Sequence, residues 1–188
     1  AVFSLSFISL FCGTLVARDR SSSFLLRLFA SPLTAADYIA GYAVPILPLA
    51  VAQSAVCFAV AFFLGLPVSP GALAALAVLV PVGALFTGFG LLMGSLFSEK
   101  QVAPFASILV NVAALLGGTW FPLDILGGRL EKISYALPFA HAVDATRAAL
   151  AGDAASVMPH LWWVLGYAVV TFAVAVAVFR ARMRSGEA

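Results

Sequence analysis

Charged side chains are scarce in this sequence: Asp, Glu, Lys and Arg make up 10% of its 188 residues, whereas hydrophobic residues make up 63%. A soluble domain of this length keeps much of its surface in water and could not bury so many apolar side chains. The surplus apolar surface must therefore face lipid. The net charge is only +2 and the basic residues are dispersed, so nothing indicates nucleic acid as a partner.

Several chemical motifs are also missing. The only lysines, Lys100 and Lys132, each follow a glutamate, so the chain has no Gly-x-x-x-x-Gly-Lys-Ser/Thr phosphate loop. It has no Gly-x-Ser-x-Gly or His-Glu-x-x-His motif. The two cysteines, Cys12 and Cys57, lie far apart inside apolar runs and lack metal-ligand spacing. We therefore expect no catalytic residue, no metal and no cofactor in this chain, and we do not expect an enzyme.

Long hydrophobic runs are what the sequence has instead. Five of them approach or exceed the roughly 20 helical residues that cross a bilayer, and none contains Asp, Glu, Lys or Arg. We predict an all-α, polytopic transmembrane bundle, with one membrane domain over residues 1–188. The predicted spans cover residues 1–17, 39–64, 72–97, 102–118 and 161–179.

The absence of ionisable groups from the spans also bears on the source of energy for transport. Ion- and proton-coupled transporters commonly carry such groups at depth. If this protein moves a substrate uphill, the energy has to enter from outside the chain. The sequence therefore favours a partner that supplies work.

The placement of arginines predicts the orientation in the membrane. Arginines lie after the first span and after the last span, whereas the 65–71 link carries no charge. We expect residues 18–38, the 98–101 link and the C-terminal tail on the cytoplasmic side, and residues 119–160 outside. Eight arginines against two lysines, with abundant alanine, suggest a bacterial protein, and hence the inner membrane. Five spans would leave Ala1 outside, which favours a further span before it, six in all, over a cleaved signal peptide.

The segment 18–38 has the pattern of a short amphipathic helix. Phe24, Leu25, Leu28 and Phe29 form one apolar stripe after the Ser21–Ser23 cap. Pro32 ends this helix, and Thr34 with Asp37 forms a capping box for the next one. The stripe is compatible with a helix lying among lipid head groups or with a docking surface for a cytosolic protein.

Small and polar residues inside the spans predict helix contacts. Gly90 and Gly94 form a Gly-x-x-x-Gly pair that allows close helix approach. Gln53 and Asn111 are the notable polar residues at depth. We expect both to form interhelical hydrogen bonds, with contact to a substrate as the alternative.

The stretch that follows the fourth span predicts a corner at the membrane surface. Trp120 and Phe121 suit the head-group level, and Pro122 prevents the helix from continuing. Two short amphipathic helices then follow, the first ending at Pro138 and the second at Gly152. The segment 119–160 is expected to lie along or partly into the membrane. Its two histidines, His141 and His160, are expected to be surface or interfacial residues.

Two stretches resemble the type-2 ATP-binding-cassette (ABC) exporter permeases. FLLRLFASPLTAADY, residues 24–38, is similar to the cytoplasmic segment of that family. WFPLDIL followed by LEKISYALPFAHAVDATRAAL is similar to its outer segment before the last span. The resemblance covers the chain from the second span to the sixth of such a permease.

This resemblance implies a transport subunit that pairs with a second permease copy, identical or related, and rests on a cytosolic ABC ATPase holding ATP and Mg. The exported substrate stays unidentified. The residues implied in ATPase coupling are Arg20, Phe24, Leu25, Leu28, Phe29 and Pro32. Those implied in the outer gate region are Gly117, Trp120, Phe121, Pro122, Pro138, Phe139 and Arg147.

Two other functions compete with the permease. One is a polytopic membrane enzyme with its site in the outer segment, built from His141, Asp144 and Arg147. The other is a non-catalytic membrane scaffold.

Overall fold

The computed structural model describes residues 1–21 and 34–185, and within these ranges the regular structure is helical with no strand. Five helices are long and apolar enough to cross a membrane. The all-α polytopic bundle predicted from the sequence is thereby confirmed. The helices are α1 (Val2–Ser21), α2 (Ala35–Phe63), α3 (Pro70–Leu96), α4 (Glu99–Leu116), a short 3-10 helix (Leu123–Leu126), α5 (Gly128–Ala136), α6 (Pro138–Ala151) and α7 (Ala154–Ser185).

Local capping explains where two of the spans begin. The predicted capping box of α2 is confirmed: the Thr34 amide donates to Asp37 Oδ2 at 2.9 Å, and the Asp37 amide donates to Thr34 Oγ1 at 3.3 Å. Helix α7, which contains the predicted span of residues 161–179, begins at Ala154. Asp153 accounts for this, because its Oδ1 accepts from the Ser156 amide at 3.2 Å and so caps the first turn.

Helix α3 is the central element of the bundle. It packs against α1, α2, α6 and α7. Within the apolar stretch of α3, 56% of the residues are buried, compared with 22% in α2, α4 and α7. The three peripheral spans therefore present most of their side chains to the outside, where lipid would lie.

Glycines on α3 let its neighbours approach closely. A Cβ placed on Gly90 would lie 2.7 Å from Cys12 Cβ, and one on Gly94 would lie 2.6 Å from Val16 Cβ, both on α1. Gly83 faces Ala50 of α2 in the same way, with a distance of 2.7 Å. The pair Gly90 and Gly94 thus lies where α1 crosses α3, and the lack of side chains on α3 at these positions lets the two helices approach closely.

The two polar residues at depth behave differently. Gln53 Nε2 donates to the Ser4 carbonyl of α1 at 2.8 Å, which confirms the predicted interhelical hydrogen bond. Asn111 is exposed, and its amide donates to Ser107 O of its own helix at 2.8 Å. The prediction of an interhelical bond for Asn111 is therefore wrong within the described chain. The reason is that Asn111 lies on the outer face of α4.

The bundle has two chemically different ends. At one end, which we call the arginine end, Arg20 of α1 and Arg182 of α7 both contact the C-terminal turn of α3. At the other, the corner end, the Phe3 ring at the start of α1 lies 5.7 Å from the Trp120 ring. The three helix ends that the sequence grouped on one side thus meet at one end of the bundle.

Candidate functional site

The corner after α4 depends on glycine. The helix ends at Leu116, and Gly118 then adopts a φ of +63°, in the left-handed region that other residues rarely occupy. A Cβ on Gly118 would also lie 2.8 Å from Leu123 Cγ, so a side chain has no room there. Pro122 directly precedes the 3-10 helix. The chain therefore turns sharply at this point, as the sequence predicted.

The two corner aromatics are partly exposed. Trp120 is 69% exposed, and its ring meets that of Phe3 edge to face, with an interplanar angle of 68°. Phe121 is half-buried. An indole that is half in contact with protein suits the boundary between lipid and water, where tryptophan is enriched.

Helix α6 is part of the bundle interior, with only its outer edge exposed. Pro138 occupies its first turn, and Phe139 is only 3% exposed. The Phe139 ring stacks on Phe86 of α3 at 6.0 Å and lies 5.8 Å from Phe89. A Cβ on Gly117 would lie 3.5 Å from Phe139 Cβ, so the corner and the start of α6 are in contact. Of the two predicted short helices, α6 is thus inserted between spans, while α5 is mostly exposed.

Arg147 joins the corner to α6. Its Nη2 donates to the Gly118 carbonyl at 2.8 Å. An ion pair between Arg147 and Asp144 is present but loose, with 3.9 Å between Nη1 and Oδ1. Because the Arg147 side chain is 54% exposed, the ion pair adds little stability, and the hydrogen bond to Gly118 is the more specific contact.

The two histidines form a pair that the sequence did not predict. His141 Nδ1 lies 2.8 Å from His160 Nδ1, and His141 Nε2 lies 3.0 Å from the Tyr135 carbonyl. A carbonyl only accepts, so His141 Nε2 carries a proton and donates it. In a neutral pair, His141 Nδ1 is then the acceptor and His160 Nδ1 the donor.

The expectation that His141 is a surface residue is wrong. His141 is 7% exposed, and its ring stacks on Trp163 with a centroid distance of 5.1 Å and an angle of 4°. Burial lowers the pKa of His141, and the positive charge that His160 can carry acts in the same direction. The available signal was the turn at Gly152, which folds α6 back against α7 and so brings residues on its two sides together.

The geometry gives no support to an enzyme site built from His141, Asp144 and Arg147. Both ring nitrogens of His141 are engaged, so neither is free to accept a proton from a substrate. Asp144 Oδ2 accepts from the Tyr135 hydroxyl at 2.9 Å. These contacts join α5, α6 and α7 and are typical of structural packing.

At the arginine end, one of the predicted coupling residues lies within the described chain. Arg20 donates from Nη1 to the Ser95 carbonyl and from Nη2 to the Phe97 carbonyl, the latter at 2.8 Å. Its guanidinium thus lies on the end of α3. The remaining predicted coupling residues lie outside the described residues: Phe24, Leu25, Leu28, Phe29 and Pro32.

Comparison with known proteins identifies the family. The ABC-2 type transporter family matches residues 1–151, which is most of the chain. The chain belongs to the ABC-2 type transporter family. This confirms the resemblance noted in the sequence, and the match includes the corner, Arg147 and the glycines of α3.

Individual relatives agree with this assignment. The ABC-2 chain is 32% identical over 173 residues to the probable multidrug ABC transporter permease YbhR of Escherichia coli (strain K12), covering 89% of this chain and 47% of that protein. It is 28% identical over 108 residues to nodulation protein J of Neorhizobium galegae, covering 56% of this chain and 41% of that protein. The chain spans less than half the length of each of these relatives. No solved structure matches.

Membership makes the chain a permease-family membrane subunit of a transporter. Five of the helices described above are long and apolar enough to span the membrane. Arginine side chains donate hydrogen bonds to backbone carbonyls at both ends of the bundle. Arg20 does so at the arginine end and Arg147 at the corner end.

Proposed function

We propose that the chain is the permease subunit of an ATP-driven exporter, that it forms the translocation path, and that a separate cytosolic ATPase supplies the work. The observation that carries this is membership of the ABC-2 family in a chain whose apolar spans, as predicted from the sequence, contain no Asp, Glu, Lys or Arg. Because coupling to ions or protons commonly uses such groups, and the chain has no phosphate loop, energy from a nucleotide-binding partner is the best-supported source.

The ATPase docks on residues 18–38 through the apolar stripe of Phe24, Leu25, Leu28 and Phe29, and Pro32 sets the direction in which the chain leaves. ATP and Mg are held by that partner. Two permease chains, identical or related, pair in the membrane. The arginine end is cytoplasmic in a bacterial inner membrane, and the corner end lies outside.

The corner residues belong to the outer gate region of this exporter. The contacts that support this run from α3 through Phe139 to α6, and from Arg147 to Gly118. A movement of α3 would therefore reach Trp120 and its neighbours through packed groups. The E. coli relative is named a probable multidrug permease. Export of drugs is therefore the first activity to assay.

A pull-down from native membranes tests the ATPase partner. We expect a protein with a phosphate loop to co-purify with the chain, and Phe24→Asp with Leu28→Asp to release it without loss of membrane insertion. Phe63→Asp with Leu64→Asp is the matched control, because these two apolar residues are exposed and lie in and just after the last turn of α2, at the opposite end of that helix from residues 18–38. If the first pair keeps the ATPase, the docking surface is wrong. If no ATPase is recovered with the unmodified chain, the exporter proposal is wrong.

A further inference from the structure

The C-terminal end of α3 lies beneath two arginines that come from other helices. The last carbonyls of a helix have no partners within it. Here Arg20 of α1 donates to Ser95 O and, at 2.8 Å, to Phe97 O. Arg182 of α7 donates to Leu96 O, the carbonyl between them, at 2.6 Å. Three successive carbonyls thus accept hydrogen bonds from two guanidinium groups.

Charge and shape both favour this arrangement. The C-terminal end of a helix carries a partial negative charge, and the planar guanidinium presents donors in a fork that can bind two oxygens at once. A positive charge near the end of α3 is not enough to explain these hydrogen bonds. Arg18 and Arg180 precede these residues by two positions on the same helices, yet both are exposed and donate no side-chain hydrogen bond to any described residue.

The position of Arg20 in the chain places this contact next to the proposed docking segment. Arg20 is the residue before the last of α1, so it lies at the start of the segment that leads to the apolar stripe. The α3 end that it binds continues directly into the 98–101 link. Helix α3 in turn packs against α6, which carries Phe139 and Arg147 at the corner end.

We propose that Arg20 and Arg182 are positioning residues of the exporter: they form a tie that makes the ends of α1, α3 and α7 move as one unit when the ATPase displaces the 18–38 segment. This inference rests on the proposed function. It assigns to Arg20 a contact within the permease in place of direct contact with the ATPase, and it adds Arg182, which the sequence did not single out for coupling.

The tie itself is tested on the permease alone. Ser95 is fully buried beside Arg20, so Ser95→Cys reports whether the α3 end is covered. We expect a permeable maleimide to label this cysteine slowly in the unmodified background and in Arg18→Gln or Arg180→Gln, and faster in Arg20→Gln or Arg182→Gln. Equal labelling in Arg20→Gln and Arg18→Gln would overturn the tie.

The coupling role is tested on the complex with its ATPase. Trp120→Cys, exposed at the corner end, is labelled with an impermeant maleimide in a Cys57→Ser background, with and without ATP and vanadate. Coupling between distant sites typically changes an equilibrium by about 5- to 150-fold, and we expect Arg20→Gln to reduce the nucleotide-dependent change in labelling rate by at least about fivefold. Arg20→Lys should retain part of the change, because an ammonium can donate to one of the two carbonyls. Co-purification of the ATPase is measured for every variant, and labelling rates are compared only between complexes that retain it.

The outcomes separate the two proposals. A nucleotide-dependent change that survives in Arg20→Gln as fully as in Arg18→Gln overturns the positioning role and leaves the exporter intact. If the unmodified complex shows no nucleotide-dependent change, the exporter proposal fails and the coupling role fails with it, while the Ser95 labelling still decides whether the tie exists.

Discussion

Among single residues, His141 and His160 have the most definite chemistry. The carbonyl of Tyr135 fixes the proton on His141 Nε2, which leaves His141 Nδ1 to accept from His160. If both rings were protonated, two N–H donors would face each other at 2.8 Å. The pair therefore joins α6 to α7 only while at least one of the two rings is neutral.

This geometry predicts a pH-dependent stability. Burial lowers the pKa of His141 in the folded state, below the value of about 6.5 in an unfolded chain. The contribution of neutral His141 is therefore complete above about pH 6.5 and is lost as the pH falls from there toward the folded pKa. We expect the Tm of the detergent-solubilised protein to fall between pH 7.5 and pH 5.5, and to fall less in His141→Gln.

The chain has two histidines, so His141→Gln with His160→Gln shows the background slope caused by carboxylates. Glutamine retains a donor for the Tyr135 carbonyl, which limits other damage. If His141→Gln loses as much Tm on acidification as the unmodified protein, the histidine pair is not the pH-sensitive contact.

Among the helices, the α1–α3 contact is the most intolerant of added volume. A Cβ on Gly94 would lie 2.6 Å from Val16 Cβ and 2.7 Å from the Gly13 carbonyl. Since one of these neighbours is backbone, a rotamer change cannot make room. The two helices would have to separate along a contact that also includes Gly90.

We therefore expect Gly94→Ala to destabilise the protein by about 1–3 kcal/mol, the usual cost of overpacking. Gly41→Ala is the control, because a Cβ there meets nothing within 4 Å. That change should be neutral, or stabilising by up to about 1 kcal/mol through helix propensity. Unfolding midpoints in mixed detergents measure both. Equal effects of the two substitutions would mean that the close approach at Gly94 does not matter energetically.

The corner predicts a smaller effect that stays local. Arg147→Gln removes the hydrogen bond to Gly118. A hydrogen bond to a charged group contributes roughly 1.5–3 kcal/mol, and the half-exposed side chain brings the expected loss to about 1 kcal/mol. Trp120→Cys should then be labelled faster, because the corner is held less firmly.

Arg129→Gln is the matched control, since Arg129 is exposed on α5 and no described residue accepts a hydrogen bond from its side chain. A labelling rate that rises equally in both variants would show that net charge is responsible.

For the whole molecule, the two ends of the bundle predict opposite exposure in a cell. The 98–101 link follows the α3 end at Arg20, whereas Trp120 lies against Phe3 at the other end. Together with the arginine distribution, this predicts that an impermeant maleimide labels Trp120→Cys in intact cells and labels Ser98→Cys only after permeabilisation. Labelling of both in intact cells would refute the topology.

Much of the fold could be predicted because its signals are local. The absence of charge from each span, the capping box at Thr34 and the glycines around Trp120 act within a few residues. The family could be recognised for the same reason, since WFPL and the segment after it are contiguous. Helix α7 begins ahead of the predicted span because Asp153 caps its first turn.

What could not be predicted involves partners that are distant in the chain. His141 and His160 are 19 residues apart, and Arg20 lies 77 residues from Phe97. The order of residues shows that arginines follow the first and last spans, but it does not show which carbonyls their side chains contact. The prediction of an interhelical hydrogen bond for Asn111 was wrong for a related reason. Helical spacing alone does not show which face of α4 packs against the other helices.

The amino-acid order was enough to specify a membrane-spanning helical bundle, its turns and its family, since these follow from hydrophobicity and backbone preferences along short stretches. Only packing of the helices against one another selected α3 as the centre, buried α6 and its histidine, and placed two arginines on one helix end. Those features depend on which helices become neighbours, and that choice is made by steric fit at Gly90 and Gly94 and by the need to satisfy polar groups away from water.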